Sequence, residues 1–152
     1  MPGQPPRYHT LTPSLTVRDA NKMIEFYKQA FGAQLDGEAH RMPDGRVMHA
    51  EMKIGDSVFM LADEFQEWGM LAPVTHDGKT AVTLHVYADD VDATFARAVK
   101  AGATPLMPPA DQFWGDRHGM VTDPSGHRWG IATHIRDVSE EEMREVVQKM
   151  AG

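Results

Sequence analysis

Residues 11–33 read LTPSLTVRDANKMIEFYKQAFGA, and residues 81–103 read AVTLHVYADDVDATFARAVKAGA. In the first stretch Leu11, Leu15 and Val17 alternate with Thr12, Ser14 and Thr16, the period of a strand with one buried face. Asp19 then stands where a helix N-cap belongs, and Met23, Phe26, Tyr27, Ala30 and Phe31 recur at helical spacing until Gly32. The second stretch repeats this grammar. Val82, Leu84 and Val86 alternate with Thr83, His85 and Tyr87, Asp90 is placed to cap, and Val91, Phe95, Ala98 and Val99 share a helical face. Asp19 matches Asp90, and Gly32-Ala33 matches Gly102-Ala103, an offset of about 70 residues that signals an internal duplication.

Each strand–helix unit leads into three further strands. In the first half these are expected at 34–41, 46–54 and 57–62, separated by the turn PDG at 43–45 and by Gly55-Asp56. In the second they are expected at 104–107, 119–122 and 127–134, with Asp123-Pro124-Ser125-Gly126 as the turn joining the last two. Residues 63–79 lack sustained periodicity and read as a connecting loop. Residues 1–10, with three prolines, read as a flexible arm. At the other end Ser139-x-x-Glu142 is a capping box, and Met143, Val146, Val147 and Met150 give residues 138–151 an apolar helical stripe that docks on the domain or on a partner chain.

Composition bounds the function. A chain of 152 residues, 41% hydrophobic, buries one core. It has no apolar run long enough to span a bilayer, and its prolines stand where a signal peptide needs an apolar segment, so a soluble cytoplasmic protein without a membrane partner is expected. The absence of cysteine excludes disulfides, thiolate nucleophiles and thiolate metal sites. A formal net charge of −7 without a dense basic stripe argues against nucleic acid as a partner.

Two βαβββ modules, the segment DANKMIEFYKQAFGA and the stretch FWGDRHGMVTDPSGHRWGIATH at 113–134 resemble the vicinal oxygen chelate superfamily. This group comprises glyoxalases, bleomycin-resistance proteins and extradiol dioxygenases, and the likeness is strongest to its PhnB-like branch. The resemblance spans residues 11–134. It implies an α+β fold in which duplicated βαβββ modules, 11–62 and 80–134, form a cupped mixed β-sheet. The helices cover the convex side, a small ligand sits in the concave side, and the assembly is a homodimer. Because the superfamily hosts enzymes and pure binding proteins alike, fold does not choose the activity.

The alternation sorts the faces. Leu11, Leu15, Val17, Val82, Leu84 and Val86 are assigned to the helices, with Thr12, Ser14, Thr16, Thr83, His85 and Tyr87 toward the cup. In the third strand Met48, Ala50, Met52 and Ile54 take the helix side and His49, Glu51 and Lys53 the cup. In the last, Trp129 and Ile131 take the helix side, leaving Arg128, Gly130 and His134 opposite. Aligned on the resemblance, the four metal-ligand positions of the superfamily fall on Thr12, Met60, Thr83 and Gly130, none of which offers an imidazole or carboxylate. The expected ligand-binding set is therefore Thr12, Ser14, His49, Glu51, Met60, Thr83, His85, Trp114 and Arg128, without a metal or other cofactor. Trp114 reads as a lid or as a dimer-contact anchor. Arg128 reads as a partner for an anionic ligand, Arg117 as a salt-bridging residue, His118 and His127 as solvated, and Met107 and Met120 as cavity floor. The competing reading is an enzyme of lyase, isomerase or dioxygenase type, with His85 or Glu51 as general base or with a divalent metal held by His49, Glu51 and His85. A third is a purely structural or interaction protein.

Overall fold

A computed structural model of the protein describes residues 3–151. The first module is β1 (Ser14–Val17), α1 (Ala20–Phe31), the short strands β2 (Gln34–Leu35) and β3 (His40–Arg41), and the hairpin β4 (Val47–Ile54) with β5 (Ser57–Asp63). A loop carrying one 3₁₀ turn, Gln66–Trp68, leads to the second module: β6 (Thr83–Tyr87), α2 (Val91–Ala101), β7 (Thr104–Asp111), β8 (Asp116–Thr122) and β9 (Arg128–His134). A final helix, α3, spans Glu140–Ala151. No helix among the described residues is long and apolar enough to cross a membrane.

Local chemistry sets these boundaries. The carboxylates of Asp19 and Asp90 accept from the backbone N–H of Lys22 and Ala93, each satisfying one orphan donor of a helix start. Gly32, at φ 65°, closes α1 in the left-handed conformation that costs other residues strain. Asp63 is buried at the end of β5, and its two oxygens accept from the N–H groups of Ala20 and Val47, both at 2.7 Å. One side chain thereby fixes where α1 and β4 begin.

The two sheets repeat one topology. The first is ordered β1-β5-β4-β2 with β3 added on β4, and the second β6-β9-β8-β7; in each, the opening strand lies parallel beside the closing one. The helix-side residues of both sheets meet in a single core. Phe59 and Leu61 of β5, Val121 of β8, and Trp129 and Ile131 of β9 join α1 and α2, which also pack against each other. Trp129, read from its parity as core, is 4.7 Å from Phe31, 5.4 Å from Tyr27 and 6.0 Å from Phe59 between ring centroids. The modules therefore sit helix side to helix side, and their open faces turn away from each other.

The turn at Asp123 locks the modules together. Asp123 is buried and accepts from Tyr27 Oη at 2.6 Å, Trp129 Nε1 at 2.9 Å, and the N–H groups of Ser125 and His127. Ser125 Oγ accepts from the Arg18 N–H at 2.9 Å, and His127 Nε2 donates to the Thr16 carbonyl at 2.7 Å. His127 is thus a cross-module donor rather than the solvated residue expected.

Several expectations need correction. Leu11 is 88% exposed and Val82 65%, because β1 begins only after Pro13 and β6 only at Thr83. Met48 is 48% exposed while Val47 is buried. The β3–β4 register steps from His40↔His49 to Arg41↔Val47, so a β-bulge at Met48 reverses the alternation there. The single strand expected at 34–41 is split at Asp36-Gly37, where Gly37 takes φ 81°. In α3, Ser139 Oγ accepts from the Glu142 N–H as the capping box requires, yet none of the helix's residues is buried.

Replacing Tyr27 with Phe removes a buried hydrogen bond to a carboxyl and leaves Asp123 one donor short. The expected loss is about 1.5–3 kcal/mol, read as a lower urea midpoint with an unchanged slope.

Candidate functional site

On the open face of the first sheet, register places Ser14 beside Met60 and Met60 beside Glu51, with His49 two residues along β4. Glu51 is only 6% exposed, an uncommon state for a carboxylate. It is satisfied by three side chains through four hydrogen bonds. Arg7 donates through Nε to Oε2 and through Nη2 to Oε1, both at 2.9 Å, Tyr8 donates its hydroxyl, and His49 Nε2 lies 3.0 Å from Oε1. The Arg7 fork is the main cause holding the Glu51 carboxyl down to about 2, with Tyr8 and His49 adding to it against the opposing effect of burial. The residues expected to form a loose arm thus fold back over this face.

On the open face of the second sheet the register forms a grid. Its rows, read from β6 across β9 to β8 and β7, run Thr83, Arg128, Thr122; His85, Gly130, Met120, Met107; and Tyr87, Ala132, His118. Gly130 and Ala132 make a low floor in the middle strand, and rings from either side close over it. The imidazoles of His85 and His118 stack at 5.6 Å with 13° between planes. A Cβ added at Gly130 would lie 3.0 Å from both His85 Nδ1 and His118 Nε2. Tyr87 meets His85 edge-on at 4.9 Å, and Trp114, in the turn between β7 and β8, meets His118 at 5.9 Å. The Nδ1 of His118 is buried without a hydrogen-bond partner among the described residues. Burial, aided by His85 and opposed by Asp116, lowers the His118 pKa and so favours the uncharged ring. At the end of the face Asp116 accepts from Tyr87 Oη at 3.2 Å and faces His134 Nδ1 at 2.9 Å, while Asp137 lies 2.7 Å from His134 Nε2; these carboxylates raise the His134 pKa.

The expected binding residues are therefore divided. Ser14, His49, Glu51 and Met60 gather on the first sheet, with Thr12 just before it donating its hydroxyl to the His9 carbonyl at 2.8 Å. Thr83, His85, Arg128 and the nearby Trp114 gather on the second. A cup lined by both sets is not formed within one chain, because the two faces turn apart. The set of His49, Glu51 and His85 is likewise split: the first two are hydrogen-bonded, and His85 lies on the other sheet. Among the described residues no group of three or more histidines and carboxylates is arranged to hold a metal ion. Arg117 pairs with Asp92 and Asp111 as expected. His118, Arg7 and Tyr8 were missed. The parity of β8 would have placed His118 opposite Val121 had the strand been started at Asp116.

The four superfamily ligand positions carry no metal-binding donor set. The Thr12 hydroxyl is already spent on the arm, Met60 offers a thioether, Thr83 a hydroxyl, and Gly130 no side chain beneath two rings that would obstruct one. This donor set does not fit a divalent ion.

The model of the glyoxalase/bleomycin resistance protein/dioxygenase superfamily matches residues 8–131. An uncharacterised protein of Mycobacterium bovis is 41% identical over 136 residues, covering 88% of this chain and 89% of its own length. Among solved structures, a gene product of Arabidopsis thaliana superposes with a TM-score of 0.65 at 29% identity, covering 82% of this chain and 98% of its own. The PhnB protein of Bacillus cereus shares the fold with a TM-score of 0.63 at 20% identity, over 82% of this chain and 99% of its own.

The histidines give a pH signature of two signs. His134 is raised, so its carboxylate contacts stabilise the fold fully below its ordinary value of 6.5 and fade as pH rises through the folded-state value. His118 is lowered, so stability is lost as pH falls below 6.5 and the unfolded chain protonates first. In an NMR titration His134 is expected to titrate above 6.5 and His118 below it. Gly130→Ala is expected to move the ring signals of His85 and His118 while leaving those of His127 in place.

Proposed function

We propose that this chain, which belongs to the glyoxalase/bleomycin resistance protein/dioxygenase superfamily, binds a small planar organic molecule against the open face of its second sheet, without a metal at the superfamily's ligand positions. The observation that carries this reading is the pair of stacked imidazoles over Gly130, of which His118 has a buried Nδ1 without a hydrogen-bond partner among the described residues. A neutral imidazole offers one donor and one acceptor, and an unpaired buried nitrogen carries a penalty that a ligand would remove. The rings of Tyr87 and Trp114 add aromatic edges, and Met107 and Met120 supply adaptable thioether surface. Arg128, one row away, is exposed and free of ion pairs among the described residues, so a carboxylate on the planar body is the favoured decoration. If the protein is catalytic, the base is His85 rather than Glu51, whose carboxylate is committed to Arg7 and Tyr8.

The same reading includes a second copy of the chain. The second sheet has two edges of unlike character. The edge at β7 carries Pro105, Pro108 and Pro109, which remove ladder donors, whereas the edge at β6, TLHVY, has neither proline nor charge. A cleft of about 840 Å³ runs along β6, walled opposite by the β4–β5 turn and by His9, Leu11 and Pro13 of the arm. A bare strand edge above an open cleft supports pairing with a second copy at β6.

In calorimetry against a panel of planar heteroaromatic carboxylates, at least one is expected to bind the native chain with single-site stoichiometry. Trp114→Ala and His118→Ala are expected to weaken that compound about 2- to 10-fold, the equivalent of roughly 0.5–1.5 kcal/mol for one lost aromatic contact. Unchanged affinity in both folded variants would sink the site. Light scattering is expected to give a dimer for the native chain and a monomer for Val82→Lys/Thr83→Lys.

A further inference from the structure

The first sheet holds a second arrangement that the aromatic face does not explain. Glu51 is a buried carboxylate in the middle of a sheet, on the face away from the core, and the cation that neutralises it comes from 44 residues earlier in the chain. A buried charge needs a partner, so the Glu51 site is built to hold a cation. The arm that carries this cation makes few hydrogen bonds beyond itself. The hydrogen bonds from residues 3–12 to the rest of the described chain all end on Glu51: two from Arg7 and one from Tyr8. The remaining hydrogen bonds of the arm among the described residues are internal, between Arg7 and Tyr8, Gln4 and Tyr8, Thr10 and Gln4, Thr12 and His9, and Tyr8 and Pro5. The Arg7 side chain itself is 57% exposed, reaching its partner from the solvent side.

The space around this pair has one sign of charge. A cavity of about 180 Å³ is lined by Arg7, Asp36, Gly37, Glu38, His40, His49 and Glu51, three carboxylates against the single guanidinium of the arm. Its volume is below the roughly 300 Å³ at which pockets enclose a drug-sized molecule, and suits one functional group. A fork of two parallel N–H···O bonds to the carboxylate, plus a hydroxyl and an imidazole beside it, is the recognition set for a guanidinium, and a primary ammonium satisfies part of it.

We propose that the Glu51 cavity is a binding site for the cationic group of a small molecule, a guanidinium or primary amine, and that Arg7 of the N-terminal arm is its intramolecular occupant until such a group displaces it. The site stands on the first sheet and does not rest on ligand binding at the second. Exchange is the economical event here: cation replaces cation, and Glu51 is never left unpaired. The arm also sets the affinity. If it is docked in about 99% of molecules, the apparent Kd of a competing cation is raised about a hundredfold over the intrinsic one.

The test uses the full chain and agmatine, which carries both groups, with N-butylurea as the neutral control. In calorimetry Arg7→Ala is expected to bind agmatine at least about tenfold more tightly than the native chain, to ignore butylurea, and to lose binding when Glu51→Gln is added. A folded Arg7→Ala chain that binds agmatine no better than the native chain overturns the proposal and leaves the Arg7–Glu51 pair purely structural. Removing Arg7 leaves Glu51 buried without its cation, so melting of Arg7→Ala is followed with and without agmatine. Restoration of a cooperative transition by agmatine but not butylurea supports the site, and a chain that stays unfolded in agmatine counts against it. In the native chain, saturating agmatine is expected to move the Arg7 side-chain N–H resonance to the position of a solvated guanidinium; an unmoved resonance at saturation refutes displacement.

Discussion

The architecture depends on one buried carboxyl. Asp123 takes four donors from three places: the Tyr27 hydroxyl of α1, the Trp129 indole of β9, and two backbone amides of its own turn. Removing it would orphan groups in both modules at once. Its effect also reaches the opposite side of the sheet. With the Trp129 indole pinned inward against Tyr27, Phe31 and Phe59, strand alternation forces Arg128 and Gly130 outward. The gap beneath the stacked histidines is therefore a consequence of a core hydrogen bond.

Much of this was legible in the sequence where local chemistry decides it. Asp19, Asp90 and Gly32 announced the helix ends, the 3.6-residue spacing of Met23, Tyr27 and Ala30 announced their buried faces, and the offset repeat announced the duplicated topology. What escaped was set by contacts distant in sequence. Arg7 and Tyr8 lie in a proline-rich arm with no periodicity, and nothing local reveals that they meet Glu51. Met48 fits the alternation and defies it only because of a bulge. The division of the expected cup between opposite faces escaped for a related reason: strand parity tells which side of a sheet a residue takes, but not how two sheets are set against each other. His118 was hidden more simply, by a strand start placed three residues late.

The two open faces have different chemistry. The first is anionic, its buried carboxylate and flanking acids neutralised in part by the arm. The second is aromatic and thioether-rich, with two stacked imidazoles and one exposed arginine. This difference arises within a duplicated topology: equivalent frames carry unlike side chains, as at Met60 and Gly130, two positions that correspond under the repeat. The duplication conserves the caps, the glycines and the inward faces, while the outward faces have diverged.

The prolines of β7 have a consequence beyond the fold. A sheet whose two borders could both accept strands would be able to add copies without end, which is how fibres grow. Here one border is closed to backbone pairing and the other is bare, so sheet growth by a further chain at β6 has no second site at β7 from which to continue. Three prolines on one border thus give the two edges of the same sheet opposite capacities for backbone pairing.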